Sequence, residues 1–513
     1  MRATRLCLPT LAAALLATGA AAQGPAAGAE PGWTVPATPA PAPISVQELA
    51  ARRRALAERM EDGVLVAMGA DGSGASYQAF AQGSHFRYLT GYTEPGAVLV
   101  IARRGGDVRE MLFVLERDPA QEVWNGRRWG AEGAARITGI PARETEGMQA
   151  ALDSLLAGAT TLYTLTSERG RPFLTSEQQF IQSLRRANPS LTRVVDLSRA
   201  LLDLRQTKSA AELDMLRRAV LITTVAQREA MRATEPGMNE FEIHALIEGT
   251  FRRLGAERPG FGSIVGSGPN STTLHYRSAD RFMADGELLV MDIGAAYAGY
   301  TADLTRTVPV NGRFSAEQRA VYEIVLAAQK AAEREARPGQ TLGGLNRAAQ
   351  AVLAEGLTRL GLIESPTATY DCGTEGRPRT CTQLSLFYMH GIGHGIGLDV
   401  HDPDAGSSSG FVAGSAFTIE PGIYVRGGVL DFLPDTPRNR ELIARIGPAV
   451  RRYADIGVRI EDDYFVTDRG VERVTEGAPR EIAEIEALMA EESSWNRGRH
   501  PEMVEWYRGV APR

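Results

Sequence analysis

Apolar positions in VQELAARRRALAERM recur with helical spacing and give way to a continuous apolar run, GVLVAMGA, which predicts a helix followed by a strand. HFRYLTGYTEPGAVLVIARR and REMLFVLER continue the alternation. ARETEGMQAALDSLLAG and SEQQFIQSLRRANPS then read as helices, and TTLYTLTS and TRVVDLS as strands. An α/β domain over 45-198 accounts for this half. The next segment, KSAAELDMLRRAVLITTVAQREAMRAT, opens on Ser209 with Glu212 three residues on and holds an apolar stripe until Pro236 and Gly237. That capping-box signal predicts a long helix opening a second domain, 207-477. Within it EFEIHALIEGTFRRLG is helical, DGELLVMDIGAAYAGYTADLTRTVPV reads as a strand hairpin, and two helical stretches fill Ala316 to Leu360. Short Gly-punctuated strands run on to Thr467. Helices and strands are mixed without regular alternation, so the fold class is α+β rather than a doubly wound sheet.

The chain ends add two features. Arg2 and Arg5, the apolar stretch LCLPTLAAALLA and the small residues Ala20, Ala21 and Ala22 form a secretory signal over 1-22, which predicts an exported protein, periplasmic or secreted. The stretch is well short of the roughly 20 residues that span a bilayer, so no integral membrane association is expected. Cys7 precedes most of that stretch, which fits a lipoprotein anchor poorly. Residues 23-44 are a Pro/Ala-rich linker, and 478-513 a C-terminal tail whose Trp495, Trp506 and Tyr507 are expected to pack on a neighbouring surface or subunit. With 43% hydrophobic and 23% charged residues over 513 positions, the rest is globular and large enough for at least two domains. A net charge of -6 without a basic block gives no reason to expect a nucleic-acid partner. Signal cleavage would leave Cys372 and Cys381, either a disulfide pinning the loop YDCGTEGRPRTCTQ or two unpaired thiols.

The candidate chemistry lies in the second domain. Asp292 (VMDIG) and Asp303 (TADLTRT) sit on the two arms of the predicted hairpin, where an acid is costly unless a cation meets it; a metal, a pairing with Arg306 or a turn cap would each serve. FYMHGIGHGIGLDVHD threads His390, His394 and His401 with glycines, which let a backbone approach a site closely, and only 7 His occur in the chain. His275 in STTLHYRSAD is a fourth candidate. Glu420 (FTIEPGIYV) and Glu461 (GVRIEDDYFVT) are further acids among apolar neighbours. Four carboxylates and one imidazole are a mainly hard donor set, suited to two divalent metal ions: Mn2+ first, with Co2+, Fe2+ or Zn2+ as alternatives. Such a pair activates a shared water for attack on a carbonyl.

These motifs, in this order, resemble the metallopeptidases of the creatinase and methionine-aminopeptidase superfamily. FRYLTGYTEPGAVLVI and RDPAQEVWNGRRWG resemble the N-terminal domain of aminopeptidase P and the related prolidases. The resemblance implies a pita-bread catalytic domain preceded by a smaller α/β creatinase-like domain. It implies a metal-dependent exopeptidase that cleaves between an N-terminal residue and a following proline. Its partners would be peptides with proline in second position, with homo-oligomerisation left open. It makes Asp292, Asp303, His394, Glu420 and Glu461 the metal ligands, with Asp303 and Glu461 bridging. His275 and His401 would contact substrate and stabilise the tetrahedral intermediate, and Glu420 would also shuttle a proton. His390 would line the site, and Arg459 would orient a ligand carboxylate.

The chain departs from the simplest pattern at RGGVLDFLPDTPRNRELIARIGPAVRRYA, an apparent insertion over 426-454, read either as a wall beside the site mouth or as passive elaboration. GSSSG at 406–410 matches a serine-hydrolase pattern but lacks its strand-turn-helix context. Asp402 and Asp404 are expected to face water or cap turns, and Arg52, Arg53 and Arg54 to form a solvated helix face. Three alternatives stay open: a prolidase acting on Xaa-Pro dipeptides, a non-catalytic peptide-binding protein on the same scaffold, and a creatinase-like amide hydrolase.

Overall fold

Alternation along β1 (Gly63–Met68) explains the first half of the molecule. Leu65 and Ala67 face one apolar cluster with Leu56 of the helix Val46–Ala57. Val64 and Val66 face another with Leu152, Leu156, Ile181 and Leu184 from the helices Met148–Leu156 and Ser176–Ala187. Around β1 the strands β2 (Val98–Arg104), β3 (Asp107–Val114), β4 (Ala142–Glu144), β5 (Thr161–Thr164) and β6 (Arg193–Asp196) complete a mixed sheet of order β4-β3-β2-β1-β5-β6. The stretch ARETEG, expected to be helical, is strand at its start: Ala142 pairs with Leu112, and Gly147, in left-handed conformation, opens the helix behind it.

The computed structural model describes residues 35, 36, 38–72, 80–166, 174–374 and 376–509. The predicted signal over 1-22 and most of the linker lie outside the described residues. From Ala40 onward the described chain forms one compact unit that contains both halves.

The Arg52–Arg54 run corrects the sequence reading. Only Arg54 is exposed. Arg53 is buried, with Nε 2.9 Å from Glu110 and Nη1 on the Leu89 carbonyl. Arg52 is buried against Glu48, Glu212 and the Tyr88 carbonyl. A helix face that looks solvated in isolation is covered because carboxylates from distant segments meet its charges.

The second half opens with capped helices outside short antiparallel sheets. Ala210–Ala233 begins as expected: Glu212 N–H donates to Ser209 Oγ and Ser209 N–H to Glu212 Oε2. Glu240–Arg253, Ala316–Glu335 and Leu342–Leu360 follow. The strands, in chain order, are β7 (Arg258–Pro259), β8 (Ile264–Ser267), β9 (Leu288–Ile293), β10 (Ala295–Tyr297), β11 (Tyr300–Thr301) and β12 (Leu304–Pro309). After the helices come β13 (Thr369–Asp371), β14 (Thr380–Thr382), β15 (Ala416–Ile419), β16 (Gly422–Val425), β17 (Ile456–Arg459), β18 (Asp462–Thr467) and β19 (Gly470–Arg473). They pair as β12-β9-β8, β11-β10-β7, β13-β14, β15-β18-β19 and β16-β17. This is an α+β pita-bread domain whose sheet interior, lined by one apolar core, holds the candidate chemistry.

Residues 426-454 contain the helix Pro437–Arg452, docked on β13: Asp371 N–H donates to Asn439 Oδ1 and Asn439 Nδ2 returns a bond to the Asp371 carbonyl. Cys372 and Cys381 form a disulfide across the β13–β14 hairpin. The tail packs on its own chain, with the Tyr507 ring 5.1 Å from Phe241 and Arg499 paired to Glu242 and Glu235. No described helix is long and apolar enough to cross a membrane.

Candidate metal centre

Strand alternation sorts the acids of the hairpin. In the β9–β12 register Thr305 lies opposite Asp292. Thr305 turns its hydroxyl to Glu461, donating to Oε2 at 2.6 Å, while Arg306, one residue on, points the other way. Arg306 is fully buried on the back of the sheet, 2.6 Å from Asp462, and does not pair with Asp292 or Asp303. Asp303, Thr305, Glu461 and Asp463 thus belong to one face, Arg306 and Asp462 to the other. The Asp303 backbone N–H donates to Asp463 Oδ2 at 3.1 Å.

The glycine run brings the histidines alongside. Thr418 N–H donates to the His394 carbonyl and Glu420 N–H to the Ile392 carbonyl, so the segment lies along β15. A Cβ on Gly393 would stand 2.1 Å from the Thr418 carbonyl oxygen, and one on Gly395 2.4 Å from that of Asp402. Only glycine permits that approach. It places His394 Nε2 3.5 Å from Asp303 and 3.6 Å from Glu420. Ligand atoms of Asp303, His394 and Glu461 all lie within 4.8 Å of one another.

Two of the acids have one oxygen held by a neighbour, and three have one left over. Arg459 Nη2 holds Asp292 Oδ2 at 2.5 Å, and Thr305 holds Glu461 Oε2. Asp292 Oδ1, Asp303 Oδ1 and Glu461 Oε1 are buried without a hydrogen-bond partner. Burial, then the charges of Glu461 and Asp292, push Asp303 well above the usual carboxylate range, and burial with Glu420 and Asp292 does the same to Glu461. Burial pushes Glu420 up to about 8, against the pull of Arg459. Burial, then His401, depress His394 to about 4, and burial, then Arg459, do the same for His390. Unpaired inward-facing carboxylate oxygens beside a neutral imidazole are a donor set that divalent cations fit.

The other predicted residues surround this cluster. His401 lies against His394, ring centroids 4.1 Å apart and planes tilted by 48°. His390 Nε2 is 2.9 Å from Tyr424 Oη and its Nδ1 3.8 Å from Glu420. His275 is exposed on a turn whose Leu274 carbonyl accepts from Arg459. Asp402 corrects the sequence reading: it is buried, bonded to Arg205 and 3.0 Å from Lys208, because both cations arrive from the segment before the long helix. Asp404 is buried too and caps Ser407 within GSSSG, as a turn acid would. Sequence reasoning did not single out Tyr424, Thr305 or Asp463. Each lies an even number of residues from a predicted ligand on a strand or its end (Glu420, Asp303 and Glu461), so period-two counting would have found them.

The aminopeptidase P N-terminal domain matches residues 49–163 and metallopeptidase family M24 residues 214–468. A Xaa-Pro aminopeptidase of Escherichia coli is 33% identical over 458 residues, covering 87% of this chain and 98% of that protein. One of Haemophilus influenzae is 35% identical over 414 residues, covering 80% and 88%. The structure of Escherichia coli aminopeptidase P with the inhibitor Pro-Leu has a TM-score of 0.74 and 32% identity, covering 87% of this chain and 99% of that one. Proline aminopeptidase P II from Yersinia pestis gives the same TM-score and identity, covering 87% and 100%. Fold, site and both domain matches agree over the same residues: the chain belongs to metallopeptidase family M24 and carries the aminopeptidase P N-terminal domain ahead of its M24 domain.

Proposed function

We propose that this chain is a dinuclear metal-dependent Xaa-Pro aminopeptidase, a hydrolase that cleaves between the first residue of a peptide and a following proline. One observation carries the reading: three buried carboxylates, Asp292, Asp303 and Glu461, each present an unpaired oxygen, and ligand atoms of Asp303 and Glu461 cluster with His394. The relatives named above act in the same sense by their names.

Asp292, Asp303, His394, Glu420 and Glu461 would hold the ions; the oxygen-rich set favours Mn2+. Bound divalent ions supply carbonyl polarisation and acidification of water. Arg459 fixes the orientation of Asp292, and Thr305 that of Glu461. Glu420 takes up the proton that the attacking water loses and passes it to the proline nitrogen as the C–N bond breaks. His275 and His401 contact the substrate and steady the oxyanion; His390, held by Tyr424, lines the pocket. The signal-like N-terminus supports export to the periplasm, checked by fractionation and N-terminal sequencing of the mature protein.

The test is hydrolysis of a matched Xaa-Pro dipeptide and Xaa-Pro-Yaa tripeptide by the protein with manganese and with a chelator. Metal-dependent cleavage of the tripeptide is expected. Cleavage of the dipeptide alone reassigns the chain as a prolidase, and cleavage of neither refutes the peptidase reading.

A further inference from the structure

Beside the candidate centre stands an annex built from two segments that pack on each other: the disulfide-closed β13–β14 hairpin and residues 426-454. Three ties fix them, since Thr436 Oγ1 donates to Asp371 Oδ2 at 2.7 Å and Asn439 exchanges two bonds with the Asp371 backbone. Between them lies a cavity of about 240 Å³. Whole small-molecule ligands fill roughly 300–1,000 Å³, so this space suits a single side chain.

Two walls of the cavity run straight out of the site. Leu386 and Met389 belong to the stretch that ends in His390, and Arg426 follows Tyr424 by two residues, on the same side of the extended chain. His390 and Tyr424 are themselves hydrogen-bonded at 2.9 Å. The remaining wall, Val429, Phe432 and Leu433, comes from the 426-454 segment. Phe432 is 83% exposed and Met389 38%, an apolar rim that a ligand would cover. Among the described residues no carboxylate pairs with the exposed Arg426 guanidinium.

We propose that this cavity receives the apolar side chain of the residue after proline, with Arg426 meeting the carboxylate of a tripeptide. The inference rests on the Xaa-Pro reading and extends it to the leaving side of the substrate. An anchored wall that reaches Met389, one residue before His390, and Arg426, two after Tyr424, is placed to touch that part of the peptide. A rigid, preformed pocket binds with little ordering cost.

The test measures kcat/KM for Xaa-Pro-Leu, Xaa-Pro-Gly and Xaa-Pro-Leu-amide in the manganese-loaded full chain and in two variants, Phe432→Ala and Arg426→Gln. The unmodified chain should prefer Leu to Gly by about 10-fold, the scale of apolar pocket discrimination. Phe432→Ala, at an exposed position that the fold tolerates, should collapse that ratio towards 1. Arg426→Gln should erase the preference for free acid over amide, acting through KM. An unchanged Leu/Gly ratio in Phe432→Ala, or an unchanged acid/amide ratio in Arg426→Gln, overturns the proposal. Failure to cleave any of the three peptides overturns the underlying functional reading instead.

Discussion

Removing the metal should make stability fall with pH, because the centre holds carboxyls that resist ionisation. Glu420 is pushed from 4.5 up to about 8, and Asp303 and Glu461 are pushed up too. Between the unfolded and folded values the folded chain binds more protons than the unfolded one, so stability declines as pH rises. His390 and His394, depressed from 6.5 to about 4, act in the opposite sense: the unfolded chain binds more protons there, and stability rises with pH up to about 6.5. Above that value the histidines no longer contribute, and the window from 6.5 to 8 isolates the carboxyls. One retained proton changes stability by about 1.4 kcal/mol per pH unit, hence about 2 kcal/mol across this window. The Glu420 side chain is 17% exposed, which leaves little screening by water. For a cooperative unit of this size that amounts to about 2 to 4 °C in Tm. Bound cations displace these protons, so the loaded protein should lack the decline. The assay is thermal unfolding by circular dichroism at pH 6.5, 7.25 and 8, with manganese and with chelator. The gap between the two Tm values should widen with pH; a constant or shrinking gap refutes the carboxylate linkage.

Asp303→Asn should abolish both metal retention, read by elemental analysis, and peptide cleavage, because it removes a ligand oxygen shared by the cluster. Gly393→Ala drives a Cβ against the Thr418 carbonyl and should cost about 1–3 kcal/mol in denaturant unfolding while lowering metal affinity through displacement of His394. Arg459→Met strips Asp292 of its partner and should reduce kcat by about 10- to 100-fold, with rescue by Arg459→Lys incomplete because a single ammonium replaces the fork. Arg306→Met, on the opposite face, leaves Asp462 paired to Arg480 but strips the buried Pro479, Glu461 and Ala478 carbonyls of their donor, and should destabilise the fold by about 1–3 kcal/mol in denaturant unfolding.

Local rules made much of this molecule legible. The Ser209–Glu212 capping box set the start of the long helix because both partners sit within one turn. Alternation placed Asp292 and Asp303 on facing arms of one hairpin, and their expense in an apolar strand pointed to a cation. The glycines around His394 signalled a close backbone approach before its partner, the Thr418 carbonyl, was known. ARETEG reads as helix by composition, yet pairing with β3 makes its start a strand, since a short segment's propensity yields to an available sheet edge.

The sequence by itself determined which side chains could bind metal, their order, and the periodicities that carry them, because those depend on neighbours a few residues away. The tertiary structure decided where charge is buried. Arg53 meets Glu110, Asp402 meets Arg205 and Lys208, and Arg306 meets Asp462, each across 50 or more residues of chain. It also decided that 426-454 docks on the disulfide hairpin beside His390. A buried charge is stable only when a partner arrives from elsewhere, and the arrival of a distant partner is a property of the packed chain rather than of any local segment.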